Sequence, residues 1–544
     1  MESRIRDVVQ KALAELGAGD VSFAVERPAD MAHGDYAVNA ALVAAKGLGK
    51  TPREVAEHIV AALASAFAAV GDTAKIEIAG PGFVNITLSP ECVHEAVQTL
   101  QTESNTLSGT RVMVEYTDPN PFKEMHIGHM MSNTIGESVS RLVGNAGATL
   151  ARANYQGDVG PHVAKALWGM QKSGITNPST AAEIGKAYAE GAAAYEADET
   201  AKAEIDAINQ AVYRKDDAAL MGLWEQGRKV SLAAFEEMYR VLGTKFDFYL
   251  FESETAAPGM ALVTEGLANG VIDESEGAII YQGEKKGLHT LVFVTSKGTP
   301  TYETKDLGLA QVKEEAWPAD LSIILTANEQ IGHFKVMFAA LEDLRPELAQ
   351  KTIHIPHGFL RLSTGKMASR TGNVITAESL INTVTEQALV KNEDKEIAGQ
   401  VALAAIKYAI LKQSSGSDIV FDMEKSLSLE GDSGPYLQYA LVRARKILAA
   451  TPGVSGTEVP ALPYAIERVL IHYPSVVARA LAEYAPHYVA QYLTELAASW
   501  NSFYATEQIL GSDDEAYKIR IAHTFERVMS HGLTVLGIPT PKRL

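Results

Sequence analysis

The stretch Asp118-Pro-Asn-Pro-Phe-Lys-Glu-Met-His126-Ile-Gly-His129 decides the predicted fold and the place of its site. It follows an extended apolar segment, residues 112–116, and precedes a segment with helical character. A strand, a tight loop and a helix N-terminus together can hold phosphate, because free backbone N–H groups and the helix dipole both face the loop. Two imidazoles can contact the same phosphates, and Gly128 leaves room for a flat adenine to approach the backbone. The stretch therefore predicts a nucleotide-binding α/β domain.

The His-x-Gly-His pattern is weak evidence by itself, because a histidine-rich helix start without a ligand would look the same. With 14 His and 43 Gly in 544 residues, about 0.03 chance matches are expected. A second segment lies about 240 residues further on: Gly365-Lys366-Met367-Ala-Ser369-Arg370-Thr-Gly372. Alone, this glycine-flanked basic segment would be interpreted as a solvated surface loop.

Taken together, the two motifs resemble the His-Ile-Gly-His and Lys-Met-Ser-Lys-Ser motifs of class I aminoacyl-tRNA synthetases. Four further segments are similar to those of one member, the arginyl-tRNA synthetases, and they are Glu115–His126, Asn154–Gly160, Thr301–Gly308 and Gly532–Pro541. The resemblance covers nearly the whole chain except a divergent stretch near residues 171–285. It implies a ligase that activates L-arginine with ATP to arginyl-adenylate and transfers the arginyl group to tRNA-Arg.

The resemblance also implies which residues handle ATP. Those that bind the nucleotide would be His126, Gly128, His129, Lys366, Met367 and Ser369. Those that stabilise the departing pyrophosphate would be Lys123, His126, His129, Lys366 and Arg370. Mg²⁺ would accompany ATP as part of the substrate complex, and no metal held by the protein itself is expected.

One departure from the family pattern concerns the fourth position of the basic loop. Most class I enzymes have a lysine there, which stabilises negative charge on the triphosphate, whereas this chain has Ser369. Removing an ammonium from a transition state usually costs several kcal/mol unless another group replaces it. Lys123 can supply that charge from the other side of the nucleotide. The alternative is that Lys123 is a solvated amine paired with Glu124.

Arginine carries a planar, permanently charged guanidinium, which a carboxylate holds best through two parallel N–H bonds. Glu115 and Asp306 each end or follow a strand-like segment, where α/β sheets place their ligands. Tyr302 would share a face with Asp306 if residues 301–310 are helical. The resemblance implies that these three side chains face the guanidinium, and that Asn120 and Gln330 hold the α-amino group. Taken singly, each could also be an ordinary structural residue.

Composition sets the broad class of the protein. Its 544 residues, 47% hydrophobic and 21% charged, predict a globular protein of three or four domains. The sequence has neither a signal-peptide-like start nor an apolar run long enough to span a bilayer. The single cysteine, Cys92, excludes an internal disulfide framework and a cysteine-cluster metal site. We therefore expect a cytoplasmic protein with no membrane partner.

Three domains are predicted along the chain. Residues 1–107 form an α/β module, and residues 108–425 alternate strands and helices, which predicts a doubly wound parallel, Rossmann-like sheet with a helical insertion at about 171–285. Five strand-like segments are assigned to that sheet, including residues 291–295. From residue 426 to 544 the pattern predicts an α-helical bundle. The resemblance implies that the first domain contacts tRNA and that the last binds the anticodon.

The net charge of −19 argues against a nucleic-acid partner on average, but tRNA binding needs only a local basic track. The candidate tRNA contacts are Tyr36, Arg443, Arg445, Lys446, Tyr504 and Arg520. The alternative for these is a solvated helix face or an aromatic core. We expect a monomer whose partners are tRNA-Arg, L-arginine and ATP. Two other functions remain open, a different nucleotidyl transferase and a catalytically inactive tRNA-binding paralogue.

Overall fold

The computed structural model describes residues 1–28, 30–70, 72, 74–363, 375–453, 456 and 458–544. The chain forms two compact units. The first unit contains Met1–Thr102, Tyr439–Arg479 and Gln491–Gly532, and the second contains Glu103–Gln438, Ala480–Ala490 and Leu533–Leu544. Within the described ranges, no helix combines the length and the apolar character that crossing a membrane requires.

The N-terminal part of the first unit is a small antiparallel sheet covered by helices. The elements are α1 (Glu2–Glu15), β1 (Val25–Glu26), β2 (Tyr36–Val38), α2 (Ala40–Leu48), α3 (Pro52–Ala68), β3 (Lys75–Ala79), β4 (Phe83–Thr87) and α4 (Pro90–Gln98). The strand order is β1-β2-β4-β3. Helix α3 begins at a capping box, in which Thr51 and Glu54 satisfy each other's backbone N–H groups. The predicted hairpin around Gly80 is present, because β3 and β4 pair antiparallel.

The second unit is built on an α/β core. Its strands are β5 (Arg111–Glu115), β6 (Thr149–Gln156), β7 (Phe248–Phe251), β8 (Asp273–Ser275), β9 (Ala278–Tyr281), β10 (Leu291–Val294), β11 (Leu321–Ala327), β12 (Thr352–His357), β13 (Leu360–Leu362) and β14 (Ile419–Phe421). Its helices are α5 (Ile127–Asn145), α6 (Pro161–Lys172), α7 (Ala181–Ala197), α8 (Glu199–Arg214), α9 (Ala218–Leu242), α10 (Glu252–Ala268), α11 (Tyr302–Ala316), α12 (Ile331–Leu344), α13 (Pro346–Gln350), α14 (Ala377–Leu389), α15 (Lys395–Leu411) and α16 (Met423–Ser426).

The central sheet has the order β12-β11-β5-β6-β7, and all neighbouring strands run parallel. From β5 the chain moves outward to β6 and β7 on one side, and later to β11 and β12 on the other. The strand order therefore reverses between β5 and β11, and the carboxyl ends of these two strands border a crevice, where open α/β sheets bind ligands. This arrangement confirms the predicted doubly wound parallel sheet.

The prediction for residues 291–295 was wrong. Strand β10 does not join the parallel sheet but pairs antiparallel with β9, in a separate sheet of order β10-β9-β8. The connection between β9 and β10 is too short for the crossover of a dozen or more residues that a parallel pair requires. The edge position in the parallel sheet is taken by β7, which lies inside the stretch assigned to the insertion. The predicted helical hairpin of that insertion is present as α7 and α8.

The last part of the chain is helical, as predicted from residue 426. The helices are α17 (Gly434–Ala450), α18 (Ala465–Leu470), α19 (Tyr473–Ala482), α20 (His487–Thr506) and α21 (Glu515–Val535). Inside the first unit, Glu467 of α18 is fully buried and lies 2.9 Å from the ring of His94 in α4. The hydroxyl of Tyr517 in α21 bonds to both side chains. Because a buried carboxylate is costly without partners, this cluster favours one arrangement of α4, α18 and α21.

Candidate active site

A cavity of about 1100 Å³ lies at the carboxyl ends of β5 and β11. It brings together eight of the residues predicted from the sequence, and these are Glu115, Asn120, His126, Gly128, His129, Tyr302, Asp306 and Gln330. Lys123 is not among the lining residues. Lys366, Met367, Ser369 and Arg370 lie outside the described residues, so their predicted roles stay predictions.

The loop between β5 and α5 is strained. Thr117, Asp118 and Phe122 have φ angles of 84°, 48° and 69°, which are unfavourable for residues other than glycine and cost about 1–3 kcal/mol each. Such strain persists only where the surroundings hold the backbone. Three hydrogen bonds do so: Thr117 N–H to Ser132 Oγ (3.0 Å), Tyr155 N–H to Asp118 Oδ1 (2.9 Å) and Phe122 N–H to Ser231 Oγ (3.0 Å).

The two histidines of the motif cap the helix that they begin. The N–H groups of Gly128 and His129 donate to Nδ1 of His126, at 3.1 and 3.3 Å, and the N–H of His126 donates to Nδ1 of His129 at 3.2 Å. The rings stack with centroids 3.6 Å apart. Because each Nδ1 accepts a bond, each neutral imidazole must carry its proton on Nε2. The pair is therefore arranged to donate two N–H groups to a ligand in the cavity.

The electrostatics of the motif agree with this tautomer. Burial, and then the charge of Lys123, lower the pKa of His126. Burial also lowers the pKa of His129 well below its usual value, with the neighbouring His126 contributing. Both rings are therefore neutral at physiological pH, and within the part of the chain that the structure describes the N-terminus of α5 and Lys123 contribute positive potential at this end of the cavity.

The structure gives a different reason from the predicted one for a glycine at position 128. A methyl group on its Cα would lie 2.9 Å from Cε1 of His126, so the space next to the backbone is filled by the capping imidazole. The glycine is needed for the histidine to fold back over the helix start. Its predicted contact with adenine stays a prediction.

Lys123 is held by the insertion. Its ammonium lies 4.9 Å from the ring centroid of Tyr188 in α7, a distance at which a cation and an aromatic face attract. Among the described residues no ion pair joins Lys123 to Glu124. The alternative of a lysine occupied by its neighbour is therefore not what the structure shows. The charge of Lys123 contributes to lowering the pKa of both motif histidines, after burial for His126 and after burial and His126 for His129.

The arginine-side carboxylates are buried, and each is paired with a cation of the protein. Oδ2 of Asp306 lies 2.6 Å from Nε2 of His333, and burial raises the pKa of Asp306 to about 6. Burial acts to lower the pKa of His333, but the bond to Asp306 and the charges of Asp306 and Glu303 together outweigh it, and the pKa is raised. Tyr302 packs on His333 with ring centroids 5.4 Å apart. Tyr302 and Asp306 both lie in α11 and both line the cavity, as the predicted helix required.

Glu115 at the end of β5 is paired in the same way. Its Oε2 lies 2.9 Å from Nζ of Lys313, and both side chains are buried. A second internal pair joins Glu252 of α10 to Lys305, at 2.6 Å. The cavity wall is therefore acidic, and each of these carboxylates has an internal cation as its partner.

Sequence reasoning missed several residues that this geometry makes prominent. Asp118, Glu252, Lys305 and Lys313 line the cavity, and His333 bonds to the cavity residue Asp306. Two signals could have pointed to some of them. Lys305 and Lys313 lie in the same helix as Asp306, and His333 follows Gln330 by one helical turn. Asp118 begins the motif that ends at His129, whereas Glu252 has no comparable local signal.

Comparison with known proteins assigns the family. Residues 93–423 match the family described as "tRNA synthetases class I (R), catalytic domain". The chain belongs to the arginyl-tRNA synthetase family. Residues 3–88 match "Arginyl tRNA synthetase N terminal domain", and residues 437–544 match "DALR anticodon binding domain". The predicted family and the predicted enzyme class are confirmed, and the alternative of a different nucleotidyl transferase is excluded.

Individual relatives agree over most of the chain. The arginine–tRNA ligase of Bdellovibrio bacteriovorus is 29% identical, and the alignment covers 99% of this chain and 98% of that protein. That of Treponema denticola is 30% identical over 80% of each protein. Among solved structures, the Thermus thermophilus arginyl-tRNA synthetase superposes with a TM-score of 0.85 at 26% identity and 100% coverage of both chains. The Plasmodium falciparum arginyl-tRNA synthetase has a TM-score of 0.80 at 19% identity, covering 100% and 98%, and shows the shared fold.

The residues predicted to contact tRNA all lie in the first unit, and they differ in accessibility. Tyr36 is buried in the core and packs edge-on against His472. Its ring is therefore not accessible to tRNA, contrary to the prediction. Arg445 bonds to Glu526 and Ser530, and Arg520 donates to the backbone carbonyls of residues 456 and 458. These two guanidinium groups stabilise the fold locally.

The remaining three candidates are more accessible. The guanidinium of Arg443 lies 4.1 Å from the ring centroid of Tyr504, which is 39% exposed. Tyr439, on the same helix as Arg443, is also exposed, and Lys446 is exposed one turn further on. An exposed aromatic ring beside an arginine can stack nucleic-acid bases.

Proposed function

We propose that this chain activates L-arginine with ATP, releasing pyrophosphate, and then transfers the arginyl group to the 2′-hydroxyl of the terminal adenosine of tRNA-Arg. One observation carries the proposal: buried carboxylates from β5 and α11 border the same cavity as a pair of helix-capping histidines. A cationic amino acid and a triphosphate require these two environments side by side.

The triphosphate would lie at the N-terminus of α5. There the Nε2–H groups of His126 and His129 donate to phosphate oxygens, and the helix dipole adds positive potential. Lys123 supplies a full positive charge, and Mg²⁺ enters with ATP as part of the substrate. Lys366, Met367, Ser369 and Arg370 are proposed to complete this half of the site, on the strength of the family motif. Little covalent work falls to side chains, since such sites act mainly by positioning and by stabilising charge.

The guanidinium would be held by Asp306, Glu115 and Tyr302. These carboxylates are already paired with His333 and Lys313, so arginine must share or replace an internal cation. This arrangement favours specificity, because an uncharged analogue offers no replacement for the internal cation that it disturbs. Asn120 and Gln330 are proposed to hold the α-amino group.

The tRNA would be bound outside this cavity. We assign tRNA contacts to the predicted domains 1–107 and 426–544, with Arg443, Lys446 and Tyr504 as the accessible candidates for base and phosphate contacts. The protein is proposed to act as a monomer in the cytoplasm, where translation takes place.

The direct test is exchange of labelled pyrophosphate into ATP, measured with each amino acid in turn, with and without tRNA-Arg. We expect exchange with arginine alone among the amino acids, and we expect it to require tRNA, as in the family. A protein that binds tRNA-Arg but exchanges nothing under any condition would be an inactive paralogue, and the proposal would fail. Exchange with a second amino acid would contradict the proposed role of the acidic cavity.

A further inference from the structure

Glu252 is a cavity carboxylate that no sequence motif indicated. It is the first residue of α10 and follows directly on β7, so it lies at the same carboxyl edge of the parallel sheet as Glu115. The side chain is buried and lines the cavity together with Asn120 and Gly157.

The position of Glu252 is fixed by its neighbours. The next residue, Ser253, donates its N–H and its hydroxyl to the fully buried carboxylate of Asp158, at 2.9 and 2.8 Å. Because Asp158 follows Gly157 in the chain, these bonds hold the start of α10 against the end of β6. Lys305 donates to Oε2 of Glu252 at 2.6 Å.

The second carboxylate oxygen, Oε1, borders the same space as the side chain of Asn120. A methyl group on Gly157 would lie 3.0 Å from Oε1 of Glu252 and 2.4 Å from Oδ1 of Asn120. The N–H of Gly157 donates to that amide oxygen at 3.1 Å. Within the part of the chain that the structure describes, no protein group donates to Oε1, so one oxygen is held by Lys305 and the other is open to a ligand.

We propose that Glu252 provides the negative charge that pairs with the α-ammonium group of the substrate arginine, and that Lys305 orients the carboxylate for this contact. The inference rests on the proposed function, in which Asn120 already holds the α-amino group. An amide oxygen accepts a hydrogen bond but has no net charge, whereas a desolvated ammonium needs an opposite charge. Asp306 and Glu115 would then recognise one end of arginine and Glu252 the other.

The charge balance supports this assignment. Burial raises the pKa of the Glu252 carboxyl even though Lys305 acts to lower it. One internal cation therefore does not fully compensate the carboxylate in the absence of substrate, and a second cation would stabilise its ionised form.

The test compares Glu252→Gln with Asp306→Asn, using two analogues of arginine as inhibitors of arginine-dependent exchange. Agmatine keeps the guanidinium and the amino group, and 5-guanidinopentanoate keeps the guanidinium and the carboxylate but has no α-amino group. We expect Glu252→Gln to weaken the binding of arginine and agmatine about tenfold to a hundredfold, the effect of losing one charge-assisted contact. The inhibition constant of 5-guanidinopentanoate should change less than about twofold. Asp306→Asn should weaken all three.

Controls separate a contact from a structural effect. Glu265→Gln lies in the same helix and removes a surface pair with Arg345, and it should change none of the three constants. Glu252→Asp keeps the charge, so it should recover part of the loss for arginine and agmatine. Equal weakening of all three ligands by Glu252→Gln, or an unchanged constant for arginine, would overturn the inference. If the wild-type protein showed no arginine-dependent exchange at all, the proposed function would fail instead.

Discussion

The two halves of the cavity are built on opposite principles. At the histidine end, His126 and His129 bond to each other's backbone within four consecutive residues, and their pKa values are lowered so that both stay neutral. At the acidic end, Asp306 and Glu115 are ionisable groups paired with His333 and Lys313 from other parts of the chain. The histidine pair is a local arrangement of neutral hydrogen-bonding groups, whereas the acidic end is a charged cluster that depends on the tertiary fold.

This difference follows from what each half must recognise. A triphosphate is strongly anionic and arrives with its own Mg²⁺, so neutral imidazole donors, a helix dipole and the charge of Lys123 can position it. A guanidinium is a cation that must leave water, so the protein needs buried carboxylates, and these in turn need partners before the substrate binds. We therefore expect changes at the acidic end to act on arginine binding and changes at the histidine end to act on turnover.

The strongest effect is expected for Asp306→Asn. The Michaelis constant for arginine should rise about thirty- to a thousand-fold, because one charge-assisted contact to the guanidinium is lost, and that for ATP should change less than about twofold. Steady-state pyrophosphate exchange at varied arginine and ATP measures both. The matched control is Asp343→Asn, which removes a carboxylate paired with Lys286 outside the cavity lining. An unchanged Michaelis constant for arginine would show that Asp306 does not bind the substrate, and the contrast between the acidic end and the histidine end would fail.

Lys123→Ala should lower turnover and leave the Michaelis constant for arginine nearly unchanged. Turnover in the exchange reaction should fall about a hundredfold, the scale of losing one preorganised stabiliser of developing charge, with little change in arginine affinity. A second change, Ser369→Lys, restores the lysine of the family motif and should recover part of the loss, as read from a double-mutant cycle.

The control for Lys123 is Lys165→Ala. The ammonium of Lys165 likewise lies over a tyrosine of the insertion, 4.2 Å from the ring centroid of Tyr195, but Lys165 belongs to α6 and not to the loop between β5 and α5 that carries Lys123. It should leave turnover unchanged. Near-normal turnover in Lys123→Ala, or simple additivity with Ser369→Lys, would return Lys123 to the role of a structural residue.

The kinetic constants for arginine and for ATP should also differ in their dependence on pH. Burial raises the pKa of Asp306 to about 6, so the carboxylate takes up a proton as the pH falls through that value and loses its attraction for the guanidinium. The ratio kcat/KM for arginine should therefore fall about tenfold per pH unit below about pH 6. The Michaelis constant for ATP should change less over this range, because burial lowers the pKa of both motif histidines. Asp306→Asn should abolish the decline, and a parallel decline for both substrates would contradict the assignment.

How much of this site the sequence predicted depends on the distance between partners along the chain. The histidine pair and the doubly wound sheet follow from local spacing and from alternation of strands and helices. The identity of the acidic residues followed from the family motif, but their partners did not. A pairing such as Asp306 with His333 or Glu115 with Lys313 exists only after the helices and the sheet have packed together. Glu252 was missed for the same reason, since its contact with Lys305 joins two helices with no shared motif.

The errors have the same physical origin. Tyr36 was a candidate for RNA contact because the family resemblance implies that its domain contacts tRNA, but β2 pairs with β4 and places its ring in the core. Strand β10 was assigned to the parallel sheet because strand-like and helical segments alternate in this part of the chain, but such alternation does not identify the partner of each strand. In both cases the local sequence predicted the element or the residue type and the tertiary fold decided its neighbour.

The smallest effect is expected at Tyr188, where the insertion meets the histidine end. The ring lies beneath the ammonium of Lys123, and a cation–π contact at a partly exposed site contributes about 0.5–1 kcal/mol. Tyr188→Leu should therefore lower turnover only about two- to fivefold, since Lys123 keeps its charge but becomes less well positioned. Tyr188→Phe keeps an aromatic face and should stay close to wild type, which separates the ring from the hydroxyl. In the Lys123→Ala background neither change should matter, because the cation that they position is gone. If Leu and Phe had equal effects, or if Tyr188→Leu acted on arginine binding instead of turnover, the ring would not be positioning Lys123, and the insertion would have no part in the histidine half of the site.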